Sequence, residues 1–196
     1  YGGPLFREGW SAGFSALKGL KALGGDFYYS VYQLMIMAAR CMSGRNDYVF
    51  AELTAMTSGG RLPPHRLFSL GAQLKGYDTF EPDFNCFDRR GDRLWLLNLG
   101  YVRLLPFRLP LLHKYVREPG LEMNLDAGSV RQSKPGDSEF DLFTRGVDEI
   151  ESSVSVGAGV SLSQIRISFF YVHDLDSSYH GPHFGVRVRG AGASGG

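Results

Sequence analysis

Residues Gly9–Leu17, GWSAGFSAL, set Trp10, Ala12, Phe14 and Ala16 in strict alternation with Ser11, Gly13 and Ser15. An extended chain turns successive side chains to opposite sides, so a period of two gathers the large apolar residues on one face. A helix would scatter the same residues around its axis. The alternation therefore constrains this stretch to a strand with an apolar face and a face of small, polar residues. Asp47–Thr57, DYVFAELTAMT, repeats the pattern, with Tyr48, Phe50 and Glu52 on one side and Val49, Ala51 and Leu53 on the other.

Further strands are predicted over Asp26–Cys41, Leu62–Ala72, Arg93–Leu104, Gly120–Gly128, Glu151–Val160, Ile165–Leu175 and His183–Arg189. Helix competes for the second half of Asp26–Cys41, where Met, Leu and Ala favour it. Ser43-Gly44-Arg45-Asn46-Asp47 and Ser58-Gly59-Gly60 suit tight turns that need positive φ. Arg131–Gly146 is polar and reads as a long surface loop, with Asp137, Glu139 and Asp141 as a solvated acidic patch around Phe140. Residues 190–196, GAGASGG, read as a flexible tail. The sum is about eight or nine strands, joined by tight turns and long loops in alternation. That rhythm fits an outer-membrane-type barrel, although a soluble β domain gives the same periodicity.

Composition narrows the function. A formal net charge of +1 argues against a nucleic-acid binder, which carries a basic excess. There is no apolar run of about 20 residues to make a membrane helix. A mean hydropathy of −0.14 is nevertheless compatible with a membrane barrel, whose strands alternate lipid-facing and inward residues. Enzyme signatures are missing: no G-x-S-x-G, no phosphate loop and no H-E-x-x-H occurs. Neither an enzyme nor a cofactor is expected. His180 and His183 beside Asp174 and Asp176 are residue types that bind zinc, but on a polar loop they need no metal to explain them. Cys41 and Cys86 make no disulfide framework.

Five segments in order carry a resemblance: FSLGAQLKGY (Phe68–Tyr77), LWLLNLGYVRLLPF (Leu94–Phe107), GLEMNLDAGSV (Gly120–Val130), VSVGAGVSLSQIRISFFYVHDL (Val154–Leu175) and GPHFGVRVR (Gly181–Arg189). Together they resemble the C-terminal half of the barrel in the BamA-like outer-membrane-protein assembly superfamily. The mitochondrial sorting-and-assembly-machinery branch is most similar, through GGDFYYSVYQL (Gly24–Leu34) and LLPFRLPL (Leu104–Leu111). The resemblance implies an all-β fold: an antiparallel transmembrane β-barrel, of which residues 1–189 form the C-terminal portion, about eight of about sixteen strands. Half a barrel leaves open edges in lipid, so the remaining strands are expected elsewhere in the polypeptide or on a second chain.

The family carries a loop folded back into the lumen, whose arginine meets an acidic residue on an interior strand face. Carried over, the tether is Lys75, Gly76 and Tyr77 reaching Asp126. Ala72 replaces the family's second glycine, and Lys75 replaces its arginine. An ammonium is a point charge and cannot make the guanidinium's bidentate bond, so the resemblance implies a looser tether. Tyr179–Val186 and Val188 are similar to the sorting signal of a last barrel strand, through Gly181, Phe184, Val186 and Val188, with Tyr179 in the polar position. A terminal edge strand offers unpaired N–H and C=O groups that another strand can pair with.

The function implied is insertion and assembly of β-barrel proteins by strand exchange at the barrel seam. A polypeptide-translocating pore of the same superfamily and a soluble β-rich binding module are the alternatives. Partners implied are client β-barrel precursors, other subunits of an outer-membrane assembly complex, and the lipid bilayer, with no nucleic acid. The mitochondrial outer membrane is favoured over a bacterial one, since two unpaired cysteines suit a periplasmic route poorly. Trp10, Tyr28, Tyr29, Tyr32, Phe169, Phe170 and Tyr171 are candidates for a lipid-facing aromatic girdle.

Overall fold

The structure, a computed structural model, describes residues 8–19, 28–42, 46–60, 62–63, 66–69, 90–106, 116–133, 150–162, 165–175 and 183–190. Ten strands follow one another: β1 (Gly9–Gly19), β2 (Tyr29–Cys41), β3 (Asp47–Gly60), β4 (Phe68–Ser69), β5 (Arg90–Gly91), β6 (Arg93–Leu104), β7 (Val116–Arg131), β8 (Glu151–Leu162), β9 (Ile165–Asp174) and β10 (His183–Gly190). Eight of them form one sheet in the order β1-β2-β3-β6-β7-β8-β9-β10. Every neighbouring pair is antiparallel. The protein is thus all-β in its described residues, as the alternation predicts. Among the described residues the sheet is not closed: β1 pairs only with β2, and β10 only with β9.

Strand order follows chain order except where β4 and β5 intervene, so each connection joins sheet neighbours. Residues 42–46, 105–115 and 163–164 connect strands along one rim, and residues 20–28, 61–92, 132–150 and 175–182 along the other. The first rim has the two shortest links, and we call it the short-link rim. Both Gly9 and Gly190 lie on it.

The sequence-based boundaries hold closely for β1, β3, β6, β8, β9 and β10. The second half of Asp26–Cys41 is strand and not helix. There Leu34, Met35, Ile36 and Met37 pair with both β1 and β3, and this cross-strand pairing overrides helix propensity. Of Leu62–Ala72, the structure describes residues 62–63 and 66–69, and none of these joins the main sheet. Among them Phe68 and Ser69 pair, and their partners are Gly91 and Arg90 in a separate two-stranded piece. Pro63 and Pro64 lie near the start of the segment, and a proline withholds the N–H that a central strand needs. Phe68 is instead buried with Leu94 and Leu96, and Val31, Met56, Leu62 and Val130 pack around them. The expected turn at Ser58-Gly59-Gly60 begins later than its sequence suggests. Ser58 and Gly59 still pair with Val31 and Ser30, and Gly60 alone takes a left-handed φ of 81°. A Cβ at Gly60 would also crowd the Tyr29 backbone at 3.2 Å.

Registers assign each side chain to one of two faces. The inner face, as we call it, carries Glu52 of β3, Asn98 of β6, Asp126 of β7, Ser153 of β8 and Phe170 of β9. Phe68 packs on this face. The outer face carries the Trp10, Ala38, Ala51, Leu99, Leu125 and Val154 row. β7 breaks register between Arg117 and Gly120, around Pro119, which has no N–H for the ladder. The Pro119 carbonyl instead accepts the Leu105 N–H at 2.7 Å.

Candidate functional site

β7 shows the division of faces most sharply. Glu122, Asn124 and Asp126 are buried on the inner face, while Leu121, Met123 and Leu125 are exposed on the outer. A soluble sheet with one solvated face would do the reverse, burying its leucines and exposing its acids. β8 and β9 continue the pattern. Ser153, Ser155, Ser161, Arg166 and Ser168 are buried, and Val156, Ile165, Phe169 and Tyr171 are exposed.

Buried polar groups need partners, and the inner wall supplies them across strands. Asp126 is fully buried, and its Oδ1 accepts the Asn98 amide at 2.6 Å. Asn124 donates to Ser155 Oγ at 3.2 Å. Nearer the short-link rim, Arg166 Nε meets Glu122 Oε1 at 2.7 Å with both side chains almost wholly buried. The same oxygen accepts the Ser168 hydroxyl at 2.8 Å, and Arg166 Nη1 donates to Ser161 Oγ at 3.3 Å. This ion pair joins β7 to β9 across the intervening β8. It can do so because β8 has glycine beneath it. A Cβ at Gly159 would meet Glu122 Oε1 at 2.7 Å, and one at Gly120 would meet Arg166 Nη2 at 3.0 Å.

Glycines also receive aromatic rings on this face. Tyr29 lies over Gly19, Phe50 over Gly100 and Phe170 over Gly157, each ring on its direct cross-strand partner. Two of the girdle candidates are therefore corrected: Tyr29 and Phe170 point inward. A strand turns alternate residues apart, so Phe169-Phe170-Tyr171 cannot share one side. Trp10, Tyr32, Phe169 and Tyr171 are on the outer face, where Phe14 stacks on Tyr32 at 6.4 Å and Tyr171 meets Phe184 edge-on at 5.5 Å. Tyr28 precedes β2 and holds Lys18 over its ring at 5.4 Å.

The outer face has charges chiefly near its rims. Arg40, Asp47 and Arg103 flank the short-link rim, with Arg103 3.7 Å from Asp47 and the Tyr101 hydroxyl donating to Asp47 at 2.7 Å. At the opposite rim a row of Thr57, Arg93 and Arg131 crosses the sheet, with Thr57 and Arg93 buried. Asp92 ties β3, the end of β7 and the link after β7 together there. Its carbonyl accepts from Ser58 N, its N–H donates to Arg131 O, and its carboxylate accepts both the Ser133 N–H and the Ser133 hydroxyl.

Of the sequence-derived site, Asp126 is buried on the inner face. Lys75, Gly76, Tyr77 and Gly181 lie outside the described residues. β10 places Phe184 and Val186 at outer-face positions, opposite Tyr171 and Phe169, and Phe184 is 81% exposed; the Val188 side chain lies outside the described set. Among the described side chains no cluster of three metal-ligating residues occurs, and the Asp174, Asp176, His180 and His183 side chains lie outside that set. Sequence reasoning missed the Glu122–Arg166 pair and the ring-over-glycine contacts. The latter carry a faint signal, aromatics and glycines at positions of matching parity. No protein-family model and no curated protein sequence matches this chain.

Proposed function

We propose that this chain is the C-terminal half of an outer-membrane β-barrel of the assembly superfamily, serving to insert client β-barrel precursors by strand exchange. The observation that carries the reading is the division of faces: buried acids, amides and hydroxyls inside, and exposed leucine, methionine, valine and aromatic residues outside. In water this arrangement exposes apolar surface and covers polar surface. Beside lipid it is the favoured one. The order of the strands adds support, since the connection from β3 to β6 carries Phe68 onto the inner face, and this is the connection that contains Lys75.

In this reading the seam is formed by β10, whose outer edge has no partner strand among the described residues. A client strand pairs with that edge and is later displaced, so the chemistry is exchange of backbone hydrogen bonds. Lys75 reaches inward toward Asp126, a buried carboxylate for which a cation is a natural counter-charge. The mitochondrial outer membrane is the proposed site of action, with other subunits of an assembly complex as partners. The translocating pore remains the second reading, favoured by the polar inner wall of Asn98, Asn124, Asp126 and Ser155.

Alkaline carbonate extraction of membranes containing the full-length protein tests the first step. Retention in the pellet is expected. Release into the supernatant overturns the barrel, the tether and the sorting-signal reading together. Single cysteines then divide the two functions: disulfide capture of a client's last strand at β10 supports insertion, and capture along β7 and β8 supports a pore.

A further inference from the structure

Charged residues on the outer face stand at two levels, and the spacing between the levels repeats from strand to strand. At β1 they are Glu8, which lies beside Arg40, and Lys18; on β6 they are Arg93 and Arg103. Each pair is ten residues apart, and on β3 Asp47 is ten residues from Thr57, the partner of Arg93. Between these ends the outward positions of β1 are Trp10, Ala12, Phe14 and Ala16, with no charge among them. Those of β6 are Trp95, Leu97, Leu99 and Tyr101.

The registers also fix how the strands lean. Pairing carries Trp10 of β1 through Ala51 and Leu99 to His173 of β9 in six strand steps. Trp10 is one residue from Gly9, the short-link end of β1, whereas His173 is eight residues from Ile165, the same end of β9. The row has therefore slipped seven residues in six steps. At about 3.3 Å per residue and about 4.8 Å per strand, this slip is a tilt of about 40°. The charges agree independently. Arg40 pairs with Val49 and Asp47 with Arg103, in successive outward rows, and a tilt of this size brings both rows' charges to one level. Barrels close with strands tilted about 35–45°, and ten residues so inclined rise about 25 Å, the height of the outward apolar band of a membrane barrel.

We infer that a bilayer with a hydrocarbon core of about 25 Å seats on the outer face between these two levels, and that each paired row crosses it obliquely. Trp10 then lies near one boundary, Leu99 near the midplane and His173 near the other boundary, although all three belong to one row. An average bilayer core is about 30 Å thick, so the surface fits a thin membrane. This seating rests on the membrane reading, and deepens it by setting depth, tilt and thickness.

Tryptophan depth along the row is the test. The full-length protein is reconstituted into vesicles of phosphatidylcholine brominated at shallow, middle or deep acyl carbons. Every tryptophan except Trp10 is replaced by phenylalanine; in two further proteins Trp10→Phe is added together with Leu99→Trp or His173→Trp. All three positions are exposed, so the changes leave the packing intact. Expected distances from the midplane are about 8 Å for Trp10, under about 3 Å for Leu99→Trp and about 9 Å for His173→Trp. Equal depths along the row mean upright strands; they overturn the oblique seating and leave the membrane reading standing. So does a row in which Leu99→Trp is the shallowest. Absence of quenching at all three positions, with release on carbonate extraction, overturns both.

Discussion

Arg166→Met breaks the inner-wall ion pair and leaves Glu122 with its charge buried. Both side chains are almost wholly out of solvent, so no screening softens the loss. Removing one partner of a buried pair costs about 3–5 kcal/mol, chiefly because the other charge is stranded. The Ser168 hydroxyl remains to Glu122 at 2.8 Å and recovers part of this, which places the expected loss near the lower figure. For a chain of this size about 3 kcal/mol corresponds to a fall of roughly 6–12 °C in the unfolding midpoint. The assay is thermal unfolding of the full chain by far-ultraviolet circular dichroism, with β9–β10 amide exchange as the local readout. Glu122→Leu combined with Arg166→Met should restore most of the lost stability, because two apolar residues need no counter-charge. A single variant within about 1 kcal/mol of the parent would refute the reasoning. So would a double variant no better than Arg166→Met.

Gly13→Ala should change stability by less than about 0.5 kcal/mol, since its Cβ would meet nothing within 4 Å; Gly159→Ala, in the same unfolding assay, should lose about 1–3 kcal/mol by driving a methyl into Glu122. Leu125→Arg on the outer face should cost about 2–4 kcal/mol in reversible unfolding from bilayers, and far less if that face meets water. Lys75→Glu should lower the unfolding midpoint in membranes, and Lys75→Glu combined with Asp126→Lys should recover it; a double variant no better than the single would remove the inward tether.

The fold was legible to the extent that it depended on parity. Trp10 and Phe14 against Ser11 and Gly13 required a strand, and β1 is one. Arg93–Leu104 was bounded correctly because Gly91 and Pro106 punctuate it at both ends. Parity fails where polarity is not periodic, as in Leu62–Ala72, which has strand-forming residues but packs through Phe68. The candidate site was less legible. Asp126 stood out through its G-L-E-M-N-L-D-A-G context, whereas Glu122 and Arg166 are 44 residues apart in sequence and meet only through the registers of β7, β8 and β9. No local signal encodes that meeting. Its faint trace is the spacing of Gly120 and Gly159, which leave the room the ion pair occupies.

The direction of the edge strands has a topological consequence. β1 leaves the short-link rim and β10 returns to it, so the two free edges run in opposite senses. Any ring closed through them with antiparallel neighbours must add strands in even numbers. An odd number would force a parallel pair at a junction. Whatever polypeptide precedes Gly9 and follows Gly190 also departs from the same rim, hence, in a spanning protein, into the same compartment. Antiparallel completion by further strands therefore obeys a rule of arithmetic as well as one of chemistry: the added strands total an even number, and both ends of this chain's strand set stay on one side.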